Sequence, residues 1–313
     1  MNDPWAQAFD LEEGMNINYF WGIFLGSLHA MVPITITGTG ETIGESAGLF
    51  NIGLEGILLM SAMTGALGAE ATGALVGLII GTATGFAIGL VFGLICTYFH
   101  GVQLIGGVGI NLFSAGMVAF WLIHLGVPGH HAISEESRMA DISTPYGSLS
   151  PLIFVAIVLP IIVYFILFRT RLGLKIRAVG ENPQAADVAG IKVNLTRLFS
   201  TAVGASLAGL AGAYISIDWI GSVTKEISAG RGFIALATVV FSGLNPLLVL
   251  LGGFIFGFFD NLAVWIATMP AVQKVIPWQI VAMAPYVVTL LIVAGVIGRV
   301  RFPAAMGIPY ERE

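Results

Sequence analysis

The feature that most constrains this chain is a series of long apolar segments that contain almost no charged residues. Six of them cover residues 17–37, 73–98, 104–126, 151–168, 199–217 and 280–297. About 20 apolar residues are enough for a helix to cross a bilayer. Membrane β-strands alternate in polarity, whereas these runs are continuous. Because backbone in lipid must satisfy its own hydrogen bonds, the sequence predicts an all-α, polytopic transmembrane helical bundle.

Composition agrees with a chain that is mostly surrounded by lipid. It is 57% hydrophobic and 10% charged, whereas soluble domains carry about 25% charged residues. Two further apolar segments are interrupted, 51–69 by Glu55 and 230–259 by the stretch from Gly243 to Pro246. The second is interpreted either as two short helices joined at Asn245–Pro246 or as a re-entrant segment. With these segments the sequence predicts about 8–9 spans within a transmembrane domain at 17–298.

The positions of the basic residues predict an orientation. Of 13 Lys and Arg, six lie between Arg169 and Arg197, three follow residue 298, and none precedes Arg138. The positive-inside rule therefore predicts that the segment 169–198 and the C-terminal tail 299–313 are cytoplasmic. The acidic loop 127–150 is then extracytoplasmic, and so is the N-terminal segment 1–16.

The sequence shows no constellation of catalytic or metal-binding residues. There is no G-x-x-x-x-G-K-[ST] loop for nucleotide phosphates, and no H-E-x-x-H motif occurs. Residues 1–16 contain no basic side chain, so a cleavable signal peptide is not expected. The single Cys96 offers no disulfide partner. We therefore predict a chain with no catalytic residue, no metal and no cofactor of its own.

Glycine recurs every four residues from Gly73 to Gly93 within one apolar segment. Residues four apart follow each other around a helix in a slowly rotating row. Such a row forms a groove in which a neighbouring helix can approach closely. Two interpretations stay open, a moving interface and static packing.

Polar residues are densest between Thr39 and Glu55, and a stretch this polar is not expected to face lipid. We predict an irregular segment there, followed by a helix that begins near Asn51 with that residue as its cap. Glu55 would then lie one turn above Asn51 on the same face. These two residues either line a solute path or serve as a cap and an interfacial carboxylate.

Three further residues are candidates for a polar path. Asn111 lies in the centre of an apolar run, where its amide suits a solute or a carbonyl of a neighbouring helix. Asn245 carries the same two interpretations, and Phe113 would either stack on a base or simply pack. Asp218 and Asp260 are predicted near span ends.

The segment 169–198 contains a short helix with clear start and stop signals. Asn182 followed by Pro183 is typical of a helix start, and Gly190 is typical of a helix end. We predict that this helix presents Ala185, Ala186 and Val188 to a partner protein, or else folds onto its own domain.

Three sequence motifs carry a family resemblance: GLFNIGLEG at 48–56, IRAVGENPQAADVAGI at 176–191 and GRGFIALA at 230–237. They resemble permeases of the branched-chain amino-acid and simple-sugar class of ABC importers, and most closely the nucleoside-type permeases of that class. The resemblance implies a type II importer fold in the bacterial plasma membrane and nucleoside import by alternating access. It assigns ATPase coupling to Gly180, Glu181, Asn182, Pro183, Ala185, Ala186, Gly190 and Ile191.

The resemblance also implies partners. These are a second homologous permease in a heterodimer, an ABC ATPase that uses ATP and Mg, and a nucleoside-binding lipoprotein, with no nucleic acid. A simple-sugar ABC permease is the alternative. A further alternative is an ion-coupled secondary transporter. Such a transporter needs a relay of ionisable groups, for which the only candidates in the sequence are Glu55, Asp218 and Asp260.

Overall fold

The computed structural model describes residues 17–127, 129–145, 147–268, 277–284, 287 and 302–311, and these residues are predominantly helical. The helices are α1 Ile17–Ser46, α2 Leu54–Thr72, α3 Ala74–Thr97, α4 Gln103–His124, α5 Pro151–Arg169, α6 Arg171–Glu181, α7 Pro183–Val188, α8 Val193–Tyr214, α9 Arg231–Ser242, α10 Pro246–Thr268 and α11 Trp278–Ala282. A π-helical turn at Ile215–Ile220 continues α8, and a 3₁₀ turn lies at Glu135–Ser137. The strands are β1 His130–Ala132, β2 Ile142–Thr144, β3 Gly147–Leu149 and β4 Ser222–Thr224.

Six of the described helices are long and apolar enough to cross a membrane: α1, α3, α4, α5, α8 with its π-helical turn, and α10. Five predicted segments coincide with α1, α3, α4, α5 and α8, while most of 280–297 lies outside the described residues. The predicted count of 8–9 spans is not confirmed. The two interrupted segments have become α2 and the pair α9–α10, which is broken between Ser242 and Pro246 as predicted.

The core lies between α1, α2 and α8. These helices contribute Met31, Leu58, Met63 and Tyr214 to one buried cluster. The prediction of an irregular segment in the polar stretch is wrong for residues 39–46, which form the last part of helix α1. Their backbone is satisfied within the helix, and Thr39, Glu41 and Glu45 are almost completely buried.

The glycine row of α3 packs closely against neighbouring helices, as predicted: Gly81, Gly85, Gly89 and Gly93 face α8, and Gly77 faces α2. A Cβ at Gly85 would collide with the carbonyl oxygen of Ala205, and one at Gly209 would lie 2.5 Å from the carbonyl oxygen of Gly81. Small residues on both helices thus allow backbone-to-backbone contact. Gly73 is the exception, because it lies in the turn before α3 with a φ of +101° and has open space around it.

The molecule has two distinct ends, which α5 separates. The loop end contains residues 125–150 and β4; there β1 pairs with β4, and β2 pairs with β3, both antiparallel. The docking end contains residues 170–192 and the C-terminal segment 302–311, where the Ala305 N–H donates to the Gly180 carbonyl over 3.0 Å. The prediction that 169–198 and the tail lie on one side agrees with this contact.

Candidate functional site

Two helices begin at a common point inside the bundle, which we call the junction (residues 51–56 and 229–232). α2 begins at Leu54, and α9 begins at Arg231 after Ala229 and Gly230, which have φ values of +48° and +78°. The Glu55 carboxylate accepts hydrogen bonds from the Gly230 N–H at 2.7 Å and the Gly232 N–H at 2.8 Å. Free N–H groups and the positive end of the dipole make a helix start favourable for a carboxylate. Glu55 therefore caps a helix far away in sequence.

Asn111 of α4 supports the start of α2 in the same way. Its Oδ1 accepts from the Gly56 N–H at 2.7 Å, and its Nδ2 donates to the Ile52 carbonyl at 3.0 Å. A Cβ at Gly56 would lie 2.8 Å from the Cα of Asn111, so the two segments touch closely. Of the two interpretations of Asn111, the contact with a neighbouring element's backbone is the one observed.

Asn51 is the first residue of the junction and is not the cap of α2. The side chain is fully buried, and its Oδ1 accepts from the Gly53 N–H at 2.9 Å. Its own N–H donates to Glu41 at 2.7 Å. Asn side chains favour such two-residue turns. The turn delays the helix to Leu54, so the prediction that Glu55 lies one helical turn above Asn51 is wrong.

α2 and α9 leave the junction in opposite directions. Near the far end of α2, Glu70 bonds His131 of the loop end at 2.9 Å. Gly243 and Leu244, just beyond α9, line a cleft with Glu181 of the docking end. Interrupted helices whose N-termini face a shared point inside the membrane are the form in which transporters build solute sites.

A cavity of about 430 Å³ opens beside the junction. Its lining includes Glu55 and Asn111 together with Lys225, Glu226 and the half-exposed ring of Phe233. Polar and charged groups thus meet one aromatic ring, a combination that suits a small polar solute with a flat ring.

Two predicted path residues lie outside this cavity. The Phe113 ring is 62% exposed on α4 but does not line the cavity. Asn245 lies beyond the far end of α9, where its Oδ1 accepts from the Leu247 N–H at 3.1 Å at the start of α10. The structure therefore brings together Glu55 and Asn111, places Asn51 at the first position of the junction, and separates Phe113 and Asn245.

A partly buried ion pair at the start of α9 was not predicted. Arg231 of α9 donates to Asp260 of α10 at 2.8 Å, and its guanidinium lies 4.5 Å from the centre of the Trp219 ring. Asp260 was expected near a span end but lies inside α10, because that helix continues to Thr268. The sequence did contain a signal for this pair, namely one basic and one acidic residue in apolar surroundings, since charges inside a membrane usually pair.

The docking end confirms the predicted short helix. Asn182 Oδ1 accepts from the Ala185 N–H at 2.9 Å, Pro183 is the first helical residue, and Gly190 has a φ of +82°. Val188 is 92% exposed. Ala186 is not presented as predicted, because it packs with Val179 and Val193.

Other members of the predicted coupling set divide between surface and interior. Glu181, Asn182, Ala185 and Gly190 are exposed, and Pro183 is partly so. Gly180 is buried against the Ser46 carbonyl of α1, and Ile191 packs against the cluster around Ala186.

The C-terminal segment 302–311 of the docking end is tied to the connection between α1 and α2. The buried Arg197 donates to the carbonyls of Ala47, Ile308 and Ala305 at 3.1, 2.8 and 3.2 Å. The Gly307 N–H donates to the Gly48 carbonyl at 3.1 Å. One guanidinium therefore joins the start of α8, the α1–α2 connection and the C-terminal segment.

Comparison with known proteins agrees with this architecture. The family described as the permease component of branched-chain amino acid transport systems matches residues 23–298, which include the junction and residues 170–192 of the docking end. The chain belongs to this permease family. No solved structure matches the permease.

Individual relatives cover nearly the whole permease. The nucleoside ABC transporter permease protein NupC of Lactococcus lactis is 31% identical over 89% of this chain and 93% of its own length. The guanosine ABC transporter permease protein NupQ of Bacillus subtilis is 32% identical over 89% and 92%. A putative glucose ABC transporter permease protein of Haloferax volcanii is 28% identical over 93% and 98%.

The same two bacteria each contribute a second relative. NupB of Lactococcus lactis is 32% identical over 36% of this chain, and NupP of Bacillus subtilis is 25% identical over 85%. NupB, like NupC, is named a nucleoside ABC transporter permease protein, and NupP, like NupQ, a guanosine ABC transporter permease protein.

Proposed function

We propose that this chain is the permease subunit of an ATP-driven ABC importer that moves nucleosides into the cell by alternating access. The observation that carries the proposal is the similarity to NupC and NupQ at 31% and 32% identity over 89% of the chain. The junction supports it, because two interrupted helices meet beside a cavity with polar and aromatic walls.

In this proposal the solute passes the junction cavity. Glu55 and Asn111 hold the starts of α9 and α2 in place at its wall, and Asn51 supports the turn before α2. Phe233 offers a ring face to a base, while Lys225 and Glu226 offer hydrogen bonds to a sugar. Phe113 and Asn245 would meet the solute only elsewhere on the path.

The proposed driving force comes from other subunits. The exposed docking surface at Glu181, Asn182, Ala185 and Val188 would seat on an ABC ATPase, which would use ATP and Mg. A second permease would complete a heterodimer, in line with the pairs NupB–NupC and NupP–NupQ. A nucleoside-binding lipoprotein would deliver the solute. The chain would lie in the bacterial plasma membrane, with its C-terminus cytoplasmic and no catalytic role of its own.

A simple sugar is the second candidate solute, because the Haloferax volcanii relative covers 93% of this chain. The two solutes share hydroxyl groups and differ in the base. Stacking on Phe233 would therefore distinguish them.

The test is uptake of labelled guanosine, uridine and glucose by the reconstituted complex, with and without ATP. We expect ATP-dependent nucleoside uptake, and we expect Phe233→Leu to weaken it by about tenfold through loss of base stacking, worth about 1–3 kcal/mol. ATP-dependent glucose uptake without nucleoside uptake would replace the proposed solute. Uptake that follows an ion gradient and ignores ATP would remove the importer proposal.

A second variant tests the docking surface. Ala185→Trp places a bulky ring on the exposed side of α7, so we expect ATPase binding and ATP-driven uptake to fall together. Ala140→Trp, at an exposed alanine of the loop end, is the matched control. Unchanged uptake by the Ala185 variant would refute the assignment of the docking surface.

A further inference from the structure

An apolar groove, distinct from the junction cavity, lies at the docking end of the bundle. It has a volume of about 430 Å³ and is lined by Ile43, Ile166, Leu172, Lys175, Ile176, Leu195, Thr196, Phe199, Ser200 and Val203. None of these residues lines the junction cavity, and none belongs to the predicted coupling set 180–191. The volume falls within the range of about 300–1,000 Å³ that is typical of small-ligand sites.

The groove lies at the level where spans end. Ile43 is in the last turn of α1, Ile166 is in the last turn of α5, and Leu195 is in the first turn of α8. Phe199 and Val203, 49% and 43% exposed, extend its wall by two turns along α8. A groove between span ends with such a wall is open to the hydrocarbon of the bilayer.

The short helix α6 closes the groove on the side of the membrane surface. Leu172 and Ile176, one turn apart on α6, line the groove, and Lys175 stands between them. Arg171 lies one turn before Lys175 on the same face. Basic amphipathic helices of this kind lie in the interface between headgroups and acyl chains.

Neither cation has a neutralising partner in the part of the chain that the structure describes. Among the described residues, neither Arg171 nor Lys175 makes an ion pair or a side-chain hydrogen bond, and both are exposed. Arg177 differs, since it bonds the Leu167 carbonyl at 3.1 Å and lies over Phe168. The Thr196 hydroxyl in the groove already bonds the Lys192 carbonyl at 2.9 Å.

We propose that this groove binds an anionic phospholipid, with an acyl chain along Phe199 and Val203 and the headgroup phosphate at Lys175 and Arg171. The apolar wall matches an acyl chain, and two unpaired cations at its edge match a negative headgroup. Basic pockets between span ends recognise anionic lipids through the same pairing. The proposal requires only that the chain lies in a membrane, and it stands apart from the choice of solute.

The test is native mass spectrometry of the full-length protein, purified in detergent and titrated with phosphatidylglycerol or phosphatidylcholine of identical acyl chains. We expect one phosphatidylglycerol per chain to survive at detergent concentrations that remove phosphatidylcholine. Lys175→Gln should weaken retention about fivefold, because one basic residue near a membrane surface is worth about 1 kcal/mol. Val203→Trp, which fills the apolar wall, should reduce binding of both lipids.

Lys225→Gln is the matched control, because Lys225 follows the other end of α8 and should leave lipid retention unchanged. Equal retention of the two lipids by the wild-type protein would mean non-selective boundary lipid and would overturn the proposal. So would unchanged retention in Lys175→Gln, or an equal loss in Lys225→Gln. Because Lys175 is exposed, its replacement should not affect folding. Thermal unfolding in lipid-free detergent checks that each variant is folded.

Discussion

At the scale of single residues, Glu55 and Asn111 each hold the start of a helix at the wall of the junction cavity. Both carboxylate oxygens of Glu55 accept hydrogen bonds from backbone N–H groups at the start of α9. The amide of Asn111 bonds the backbone of Ile52 before the start of α2 and that of Gly56 after it. A helix that begins inside a membrane protein leaves N–H groups at its first turn that need acceptors, and side chains of other elements can supply them. Positioning of the junction is therefore their first role.

Replacing Glu55 should loosen the start of α9. Glu55→Gln removes the charge that faces the helix dipole and turns an amide donor towards one N–H, so we expect a loss of about 1–2 kcal/mol in the free energy of unfolding. Chemical unfolding of the protein in detergent measures it. Glu226→Gln, in the same cavity, should be nearly neutral. An equal loss in both variants would show that cavity charge, not capping, is responsible.

Replacing Asn111 should loosen the start of α2. Asn111→Ala leaves the Gly56 N–H and the Ile52 carbonyl without their partner, at a cost of about 1–3 kcal/mol for each unsatisfied group. Ser114→Ala is the control on the same helix, because the buried Ser114 Oγ has no hydrogen-bond partner among the described residues. If the two variants unfold at the same denaturant concentration, Asn111 does not support α2.

At the scale of secondary-structure elements, contact between α3 and α8 depends on the absence of side chains. Four glycines of α3, from Gly81 to Gly93, face Ala213, Ala205, Gly209 and Leu198 of α8. Close backbone packing at four successive glycines indicates a fixed interface. Of the two interpretations of the glycine row, static packing is therefore the one that this contact favours.

A single methyl group should disturb this interface. Gly85→Ala forces a Cβ into the Ala205 carbonyl, and overpacking of this kind costs about 1–3 kcal/mol. Gly109→Ala adds the same methyl to α4 where nothing lies within 4 Å. We expect the melting temperature in detergent to fall only for Gly85→Ala. A lowered melting temperature for Gly109→Ala alone would contradict the observed packing.

The C-terminal segment should depend on Arg197. Arg197→Lys replaces a planar donor that reaches three carbonyls with a single ammonium group, so at least one carbonyl loses its donor at a cost of about 1–3 kcal/mol. Hydrogen exchange should then become faster at the amides of Ala305 and Gly307, which bond Gly180 and Gly48. Arg169→Lys, at an exposed position, is the control. Unchanged exchange would show that the segment is held independently of Arg197.

At the scale of the whole molecule, the two ends are separated by the length of α5. Labelling of single cysteines tests this, because the only native cysteine, Cys96, is 3% exposed and can be replaced by alanine. We expect a membrane-impermeant maleimide to label Glu136→Cys on intact cells and Val188→Cys only after permeabilisation. Labelling of both variants on intact cells would contradict the two-ended architecture. Labelling of Val188→Cys alone on intact cells would leave that architecture standing and reverse the predicted orientation in the membrane.

Much of the helical architecture was predictable from the sequence, and the junction was not. Apolar length located five of the six candidate spans, and the motif Asn182–Pro183 located the start of α7. The route of the polar stretch 39–46 was predicted wrongly, because polarity was taken to break a helix that tertiary burial preserves. The ion pair of Arg231 with Asp260 was missed because pairing of distant residues depends on how α9 and α10 return towards each other.

The sequence by itself determined that this protein is a helical membrane bundle and a permease, since apolar length and motifs are local properties that need no partner. Only the tertiary structure decided what the polar residues do. In the sequence, Asn51, Glu55 and Asn111 are all polar residues in apolar surroundings. The role of each depends on which backbone amides face it. A buried polar group must find a partner, and which partner it finds is settled by packing between helices that are far apart in the chain.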